Sequence, residues 1–213
     1  MAIRFILASA SPARLQTLKS AGVEATPVIS GIDESLIAAA TNGETVAALA
    51  RAKAQAVAEK GRSEGWLDSE ALVGSQPYLI VGCDSMLEFE DVVLGKPRDS
   101  ATATQWWQAM RGKSGVLLTG HHVIYVDGYN ETERTQVAAT QVHFANLSDA
   151  EIAAYVATGE PEHVAGAFTI DGLGGAFVDS VNGDPHTVVG LSLPLLRRML
   201  LELGIEWHAL WRR

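Results

Sequence analysis

The sequence predicts an α/β fold built on a mixed β-sheet within one chain of 213 residues. Three observations point to it. Buried-strand runs such as Phe5-Ile6-Leu7-Ala8 and Tyr78-Leu79-Ile80-Val81-Gly82-Cys83 alternate with helical patterns. Two long segments, Gly115 to Val126 and Thr132 to Phe144, flank Asp127-Gly128 as the arms of an antiparallel hairpin would. Strands interleaved with helices, together with a long hairpin, give a sheet with both parallel and antiparallel neighbours.

The elements follow in order. After the first strand, Ser11 can cap a helix whose first turn accepts Pro12 and which stops at Gly22. Val23 to Ile29 reads as a second strand, followed by the acidic loop Gly31 to Ser35. Glu44 to Lys60 is a helix with Val46, Leu49, Ala50, Val57 and Ala58 on its apolar face. Lys53 falls inside that stripe, a position a lysine takes when its ammonium reaches a partner or a cleft. Gly61 to Pro77 reads as a surface loop. A strand ending at Asp84 comes next, then a short hairpin through Leu87-Glu88-Phe89 and Val92-Val93-Leu94 and a helix from Ser100 to Met110. Ser148 and Glu151 form a capping box at the start of a helix to Ala157. Glu160 follows as a turn residue, and Gly172 to Gly175 is a glycine-rich turn before a strand at Ala176-Phe177-Val178. The last helix runs from Leu193 to Leu203, with Pro194 in its first turn and Gly204 past its end.

Composition narrows the function classes. With 47% hydrophobic and 19% charged residues, the chain can bury the core of one large domain or of two lobes. A net charge of −9 repels a nucleic-acid duplex, so any phosphate site must be a local cationic pocket completed by a divalent metal. No apolar stretch of about 18 residues appears, and a membrane span is not expected. The single cysteine, Cys83, and the strand-like start Met1 to Leu7 give the expectation of a cytoplasmic protein.

The residues that carry chemistry are dispersed. Ser11-Pro12-Ala13-Arg14 opens a helix after a buried strand, where free N–H groups, the positive end of the dipole and the Arg14 guanidinium can hold phosphate. Asp84 at the carboxyl end of a strand is placed to bind metal or orient water. Asp33 and Glu34 add oxygen ligands suited to Mg²⁺ or Mn²⁺ if their loop folds toward it. Lys96, between Gly95 and Pro97, joins Arg14 and Lys53 as a third cation for a triphosphate. Histidine and cysteine spacing excludes a zinc site, and neither a G-x-S-x-G nor a Walker pattern occurs.

Leu7 to Arg14, Ile32-Asp33-Glu34, Ala50 to Ala54, Gly82-Cys83-Asp84-Ser85, Gly95-Lys96-Pro97, Glu151 to Glu160, Ala165 to Phe168 and Val189-Gly190-Leu191 occur in this order. The set resembles the Maf family of nucleoside triphosphate pyrophosphatases over nearly the whole chain. The resemblance implies one inosine-triphosphatase-like domain over residues 1–213, with two lobes sharing one elongated sheet and a central cleft. It implies hydrolysis of a nucleoside triphosphate to monophosphate and pyrophosphate with a divalent cation, Mg²⁺, Mn²⁺ or Co²⁺, in the removal of surplus or modified nucleotides, and it carries the expectation of a homodimer. Asp84 matches the family's proposed proton acceptor. Ser11, Arg14, Lys53 and Lys96 match its phosphate-binding residues, and Glu34, with Asp84, its metal ligands. Ala13, Ser85 and Asp171 match its base-selecting positions, but fit neither the dTTP/UTP branch (arginine, threonine, glutamine) nor the 7-methyl-GTP branch (tryptophan, glutamine, glutamate). Val164 stands where the first branch carries lysine. Asp171 can accept from base amino or imino groups, which suits C- or G-like bases and leaves uracil and thymine less well matched. A nucleotide-binding regulator of septum formation is the alternative the same resemblance carries, and a phosphotransferase is a third reading.

Overall fold

A computed structural model of the chain describes residues 3–67, 76–97 and 99–211. Strand β1 (Arg4–Leu7) has β2 (Ala25–Pro27) and β3 (Tyr78–Phe89) as parallel neighbours. β3 pairs antiparallel with the short β4 (Val92–Leu94). β5 (Ser114–Asp127) and β6 (Asn130–Phe144) are joined by Gly128-Tyr129, where Gly128 takes φ +58°, and β7 (Val178–Asn182) runs antiparallel to β6. Among the described residues the sheet has seven strands in the order β2-β1-β3-β5-β6-β7, with β4 beside β3. The sheet is thus mixed, as the sequence predicts.

The chain divides into two compact units. The first comprises Met1–Asp84, Gly120–Ala138 and Leu193–Arg213, the second Ser85–Thr119 and Ala139–Ser192. The chain passes from one to the other within β3, β5 and β6, in β3 directly after Asp84.

The first unit is organised by α2 (Asn42–Ser63), which begins with a capping box between Thr41 and Glu44. Its buried residues, Val46, Leu49, Ala50, Lys53, Ala54, Val57, Ala58 and Gly61, recur at helical spacing. The helix lies directly on strand backbone. A Cβ at Gly82 would sit 2.2 Å from the Ala50 carbonyl oxygen and 2.9 Å from the Ala54 nitrogen. A Cβ at Gly120 would sit 2.2 Å from the Val46 carbonyl oxygen. Glycine is therefore required on both strands. Helix α1 (Pro12–Ser20) is capped by Ser11 and ends before Gly22, at φ +79°. Helix α6 (Leu193–Glu202) buries Leu195, Leu196, Met199 and Leu200.

The second unit packs around Trp107 of α3 (Ser100–Met110). Its ring is fully buried, donates through Nε1 to the Ala167 carbonyl at 2.8 Å, and meets Phe144, Tyr155 and Phe177 edge-on at 5.7, 5.6 and 6.0 Å. Helix α4 (Asp149–Val156) has the predicted capping box, with Ser148 and Glu151 as its pair. A short helix, α5 (Pro185–Val189), is not predicted from the sequence.

Several boundaries differ from expectation. β3 does not end at Asp84 but continues to Phe89, with Leu87 and Phe89 buried, because Lys53 neutralises the acid inside the sheet. The second strand shortens to Ala25–Pro27. The expected loop from Gly61 begins as the last turn of α2, with Gly61 packed under Trp66; residues 68–75 of it lie outside the described residues. The strand expected at Ala176 starts at Val178, after a 3₁₀ turn at Leu173–Phe177. No helix among the described residues is long and apolar enough to cross a membrane.

Two predictions follow from the packing of the first unit. Gly82→Ala should lower stability by about 3 kcal/mol in urea denaturation, since helix backbone cannot yield to the new methyl. Gly43→Ala, in the first turn of α2 with nothing within 4 Å, should be neutral or slightly stabilising. Buried His122 on β5 has its pKa lowered to about 4 by burial and then by the charge of Arg51. The native ring stays neutral while the unfolded chain takes up a proton. This contribution to stability is complete above 6.5 and is lost as pH falls toward 4. His122→Gln should lose less stability than the wild type over that window, and equal losses would count against the assignment.

Candidate active site

Gly82 and Asp84 share one face of β3 because side chains alternate along a strand. Ala50 and Lys53 share one face of α2. The contact between Gly82 and Ala50 therefore brings Lys53 level with Asp84. Lys53 Nζ lies 2.5 Å from Asp84 Oδ1 and 2.9 Å from Glu34 Oε1. The side chains of Lys53 and Asp84 are only 10% and 11% exposed, whereas that of Glu34 is 57% exposed. Glu34 comes from a 3₁₀ turn, Glu34–Leu36, capped by Asp33, whose Oδ1 accepts from the Ser35 N–H and hydroxyl. Asp33 thus shapes the loop, and Glu34 makes the contact.

Arg14 reaches the same stretch of β3. Its guanidinium donates to the Cys83 carbonyl at 2.9 Å and to Ser9 Oγ at 3.1 Å. Ser9 Oγ also accepts from the Ser11 N–H, and Ser11 Oγ accepts from the Arg14 N–H as the helix cap. The Ser-x-x-Arg segment is therefore one hydrogen-bonded unit anchored one residue before Asp84. Ala13 stands half-buried in its first turn. Burial pushes the Cys83 thiol up to about 11, against the opposing pull of Arg14 and Lys53, so it is no nucleophile at neutral pH.

The remaining predicted residues belong to the second unit. Lys96 is exposed just after β4, next to Gly95, whose carbonyl accepts from the Gly166 N–H at 2.9 Å. Ser85 Oγ lies 2.9 Å from Thr119 Oγ1, and because the Thr119 hydroxyl donates to the Thr187 carbonyl, Ser85 is the donor in that pair. Asp171 is exposed, within a segment fastened to Glu160. Sequence reasoning treated Glu160 as a turn residue and missed that anchoring role. Its signal was the glycine-rich segment downstream, whose backbone N–H groups need an acceptor.

Glu34 and Asp84 converge on one cation, the Lys53 ammonium. Two carboxylates at one point suit Mg²⁺ or Mn²⁺ when substrate phosphates and water complete the shell. Among the described residues no group of three or more His, Cys, Asp or Glu gathers as a metal site.

Comparisons with known proteins identify the family. The family described as Maf-like protein matches residues 4–203. The chain is 54% identical over 211 residues to a nucleoside triphosphate pyrophosphatase of Salinispora tropica, covering 99% of this chain and 88% of the relative. It is 49% identical to one from Cutibacterium acnes, covering 97% of this chain and 94% of the relative, and 48% identical to one from a Cyanothece strain, covering 98% and 100%. Matched from its first strand to its last helix by the family model and at about half identity by these relatives, the chain belongs to the Maf-like protein family.

Proposed function

We propose that this chain is a nucleoside triphosphate pyrophosphatase, a hydrolase that cleaves between the α- and β-phosphoryl groups to release a nucleoside monophosphate and pyrophosphate. One observation carries the reading: an acid and a lysine are buried together, beside an arginine, in a chain matched end to end by proteins of that name.

The residues divide the work. Arg14 offers a planar fork of donors for phosphate oxygens, held in place by Ser9 and the Cys83 carbonyl. Lys53 supplies charge opposite the leaving pyrophosphate, and the family resemblance assigns the same role to Lys96. Asp84, oriented by Lys53, accepts the proton of the water that attacks the α-phosphorus. The new P–O bond forms to water as the bond to pyrophosphate breaks. Asp84 and Glu34 would hold a divalent ion, which would supply Lewis acidity and further positive charge. Asp171 and Ser85 face the base in this reading, and Ala13 leaves room at the position where the resemblance puts arginine or tryptophan in the two family branches.

Product analysis tests the reaction. Monophosphate and pyrophosphate are expected, with solvent oxygen in the monophosphate; diphosphate and phosphate would overturn the reading. Activity lost to a chelator should return with Mg²⁺, Mn²⁺ or Co²⁺, and full activity in the chelator would remove the metal from the scheme. Asp84→Asn should reduce kcat by about 10²–10⁴-fold. Lys53→Met should cost about 3 kcal/mol of stability by leaving a buried carboxylate unpaired, and adding Asp84→Asn should recover much of that loss.

A further inference from the structure

The carboxylate of Glu160 is the centre of a hydrogen-bond cluster in the second unit. Its Oε1 accepts from the Tyr155 hydroxyl at 2.8 Å, the Thr169 hydroxyl at 2.6 Å and the Gly174 N–H at 3.0 Å. Its Oε2 accepts from the Leu173 N–H at 3.0 Å. The Thr169 N–H in turn donates to the Tyr155 hydroxyl at 3.3 Å. Thr169 at one end of a six-residue segment, and Leu173 and Gly174 at the other, are thus fastened to one side chain.

The packing leaves the segment little freedom. A Cβ at Gly172 would lie 2.6 Å from Glu160 Oε2 and 2.7 Å from Thr169 Oγ1. A Cβ at Gly174 would lie 2.3 Å from the Tyr155 hydroxyl oxygen. Tyr155 is itself buried, and its ring meets Trp107 and Phe177. Burial works to raise the Glu160 carboxyl, but the bonds from Thr169, Leu173, Gly174 and Tyr155 outweigh it and hold the group below the ordinary glutamate range. The anchor is therefore anionic at neutral pH, with hydrogen bonds of the stronger, charge-assisted kind. Asp171 stands exposed between the two fastened ends.

We infer that Glu160 is a positioning residue for base selection: by clamping residues 169 and 173–174 it fixes the backbone that presents Asp171 to the nucleobase of the triphosphate. The inference rests on the proposed pyrophosphatase reading, with Asp171 at the base. Asp171 selects bases with an exocyclic amino group over uracil and thymine, and Glu160 selects nothing by contact. Its effect passes through the segment. A glutamine at position 160 would turn an N–H₂ group toward donors that need an acceptor, and so release one end of the clamp.

The test is a panel of CTP, GTP, ATP, UTP and dTTP with wild type, Glu160→Gln, Asp171→Ala and the double variant, recording kcat and KM for each. Glu160→Gln should compress the spread of kcat/KM between the best and poorest bases by about tenfold, mainly through KM of the preferred bases. In the Asp171→Ala background, Glu160→Gln should leave the spread unchanged. A merely structural role predicts equal losses for every base, or the same additional loss in both backgrounds; either result overturns the inference, as does a wild type that hydrolyses the panel without preference. Should Glu160→Gln fail to fold, Gly172→Ala drives a methyl against the same carboxylate and must compress the spread in the same direction. A wild type that hydrolyses no triphosphate is a separate outcome, seen before any variant is made, and it removes the proposed function together with this inference.

Discussion

Two close approaches of backbone to backbone hold the first unit together. Helix α2 rests on β3 at Gly82 and on β5 at Gly120, with carbonyl oxygens of the helix where a β-carbon would stand on either strand. Small residues on the helix, Ala50 and Ala54, complete the fit. Such packing leaves little room for the helix to slide or roll, because interiors at crystalline density respond to a single methyl group. The chemistry depends on this registry. Lys53 lies less than one helical turn beyond Ala50, and Asp84 lies two residues beyond Gly82 on the same strand face. Fixing the first pair fixes the second.

The Lys53–Asp84 pair itself is an unfavourable thing to bury without compensation. Each ion loses on the order of several kcal/mol of hydration, and a well-packed apolar pair would serve stability as well or better. Glu34 places a second carboxylate on the same ammonium from a more exposed position. Both acids therefore face a cation, beside an arginine anchored to the adjacent strand backbone. Stability alone does not account for a polar cluster at this depth, and in the proposed hydrolysis positioned positive charge does most of what a protein can do.

The second unit solves a different problem. Its glycine-rich segment forms little regular structure, yet the N–H groups of Leu173 and Gly174 still require acceptors. Glu160 supplies them with one carboxylate, which is in turn braced by Tyr155 within the Trp107 aromatic cluster. An irregular segment thereby gains the definition of a helix or strand while keeping Asp171 at its exposed middle.

Periodicity alone determined much of this protein. The α2 stripe, the β5–β6 hairpin, the Ser148–Glu151 capping box and the Ser11 cap were all legible, because each depends on residues near one another in the chain, and the mixed sheet followed from the order of the elements. The misplaced lysine in the α2 stripe even announced that a partner existed. What the sequence could not reveal was the partner, since an ion pair between residues 53 and 84 depends on how a helix is laid on a sheet. The same reason explains why β3 runs on through Asp84: an acid reads as a strand end until a cation is known to neutralise it. Glu160 stayed hidden because two of its donors are backbone N–H groups, which every sequence carries, and only the folded chain brings these and the Tyr155 and Thr169 hydroxyls to one carboxylate. Local spacing chose the elements; long-range packing at two glycines and one carboxylate decided which side chains meet.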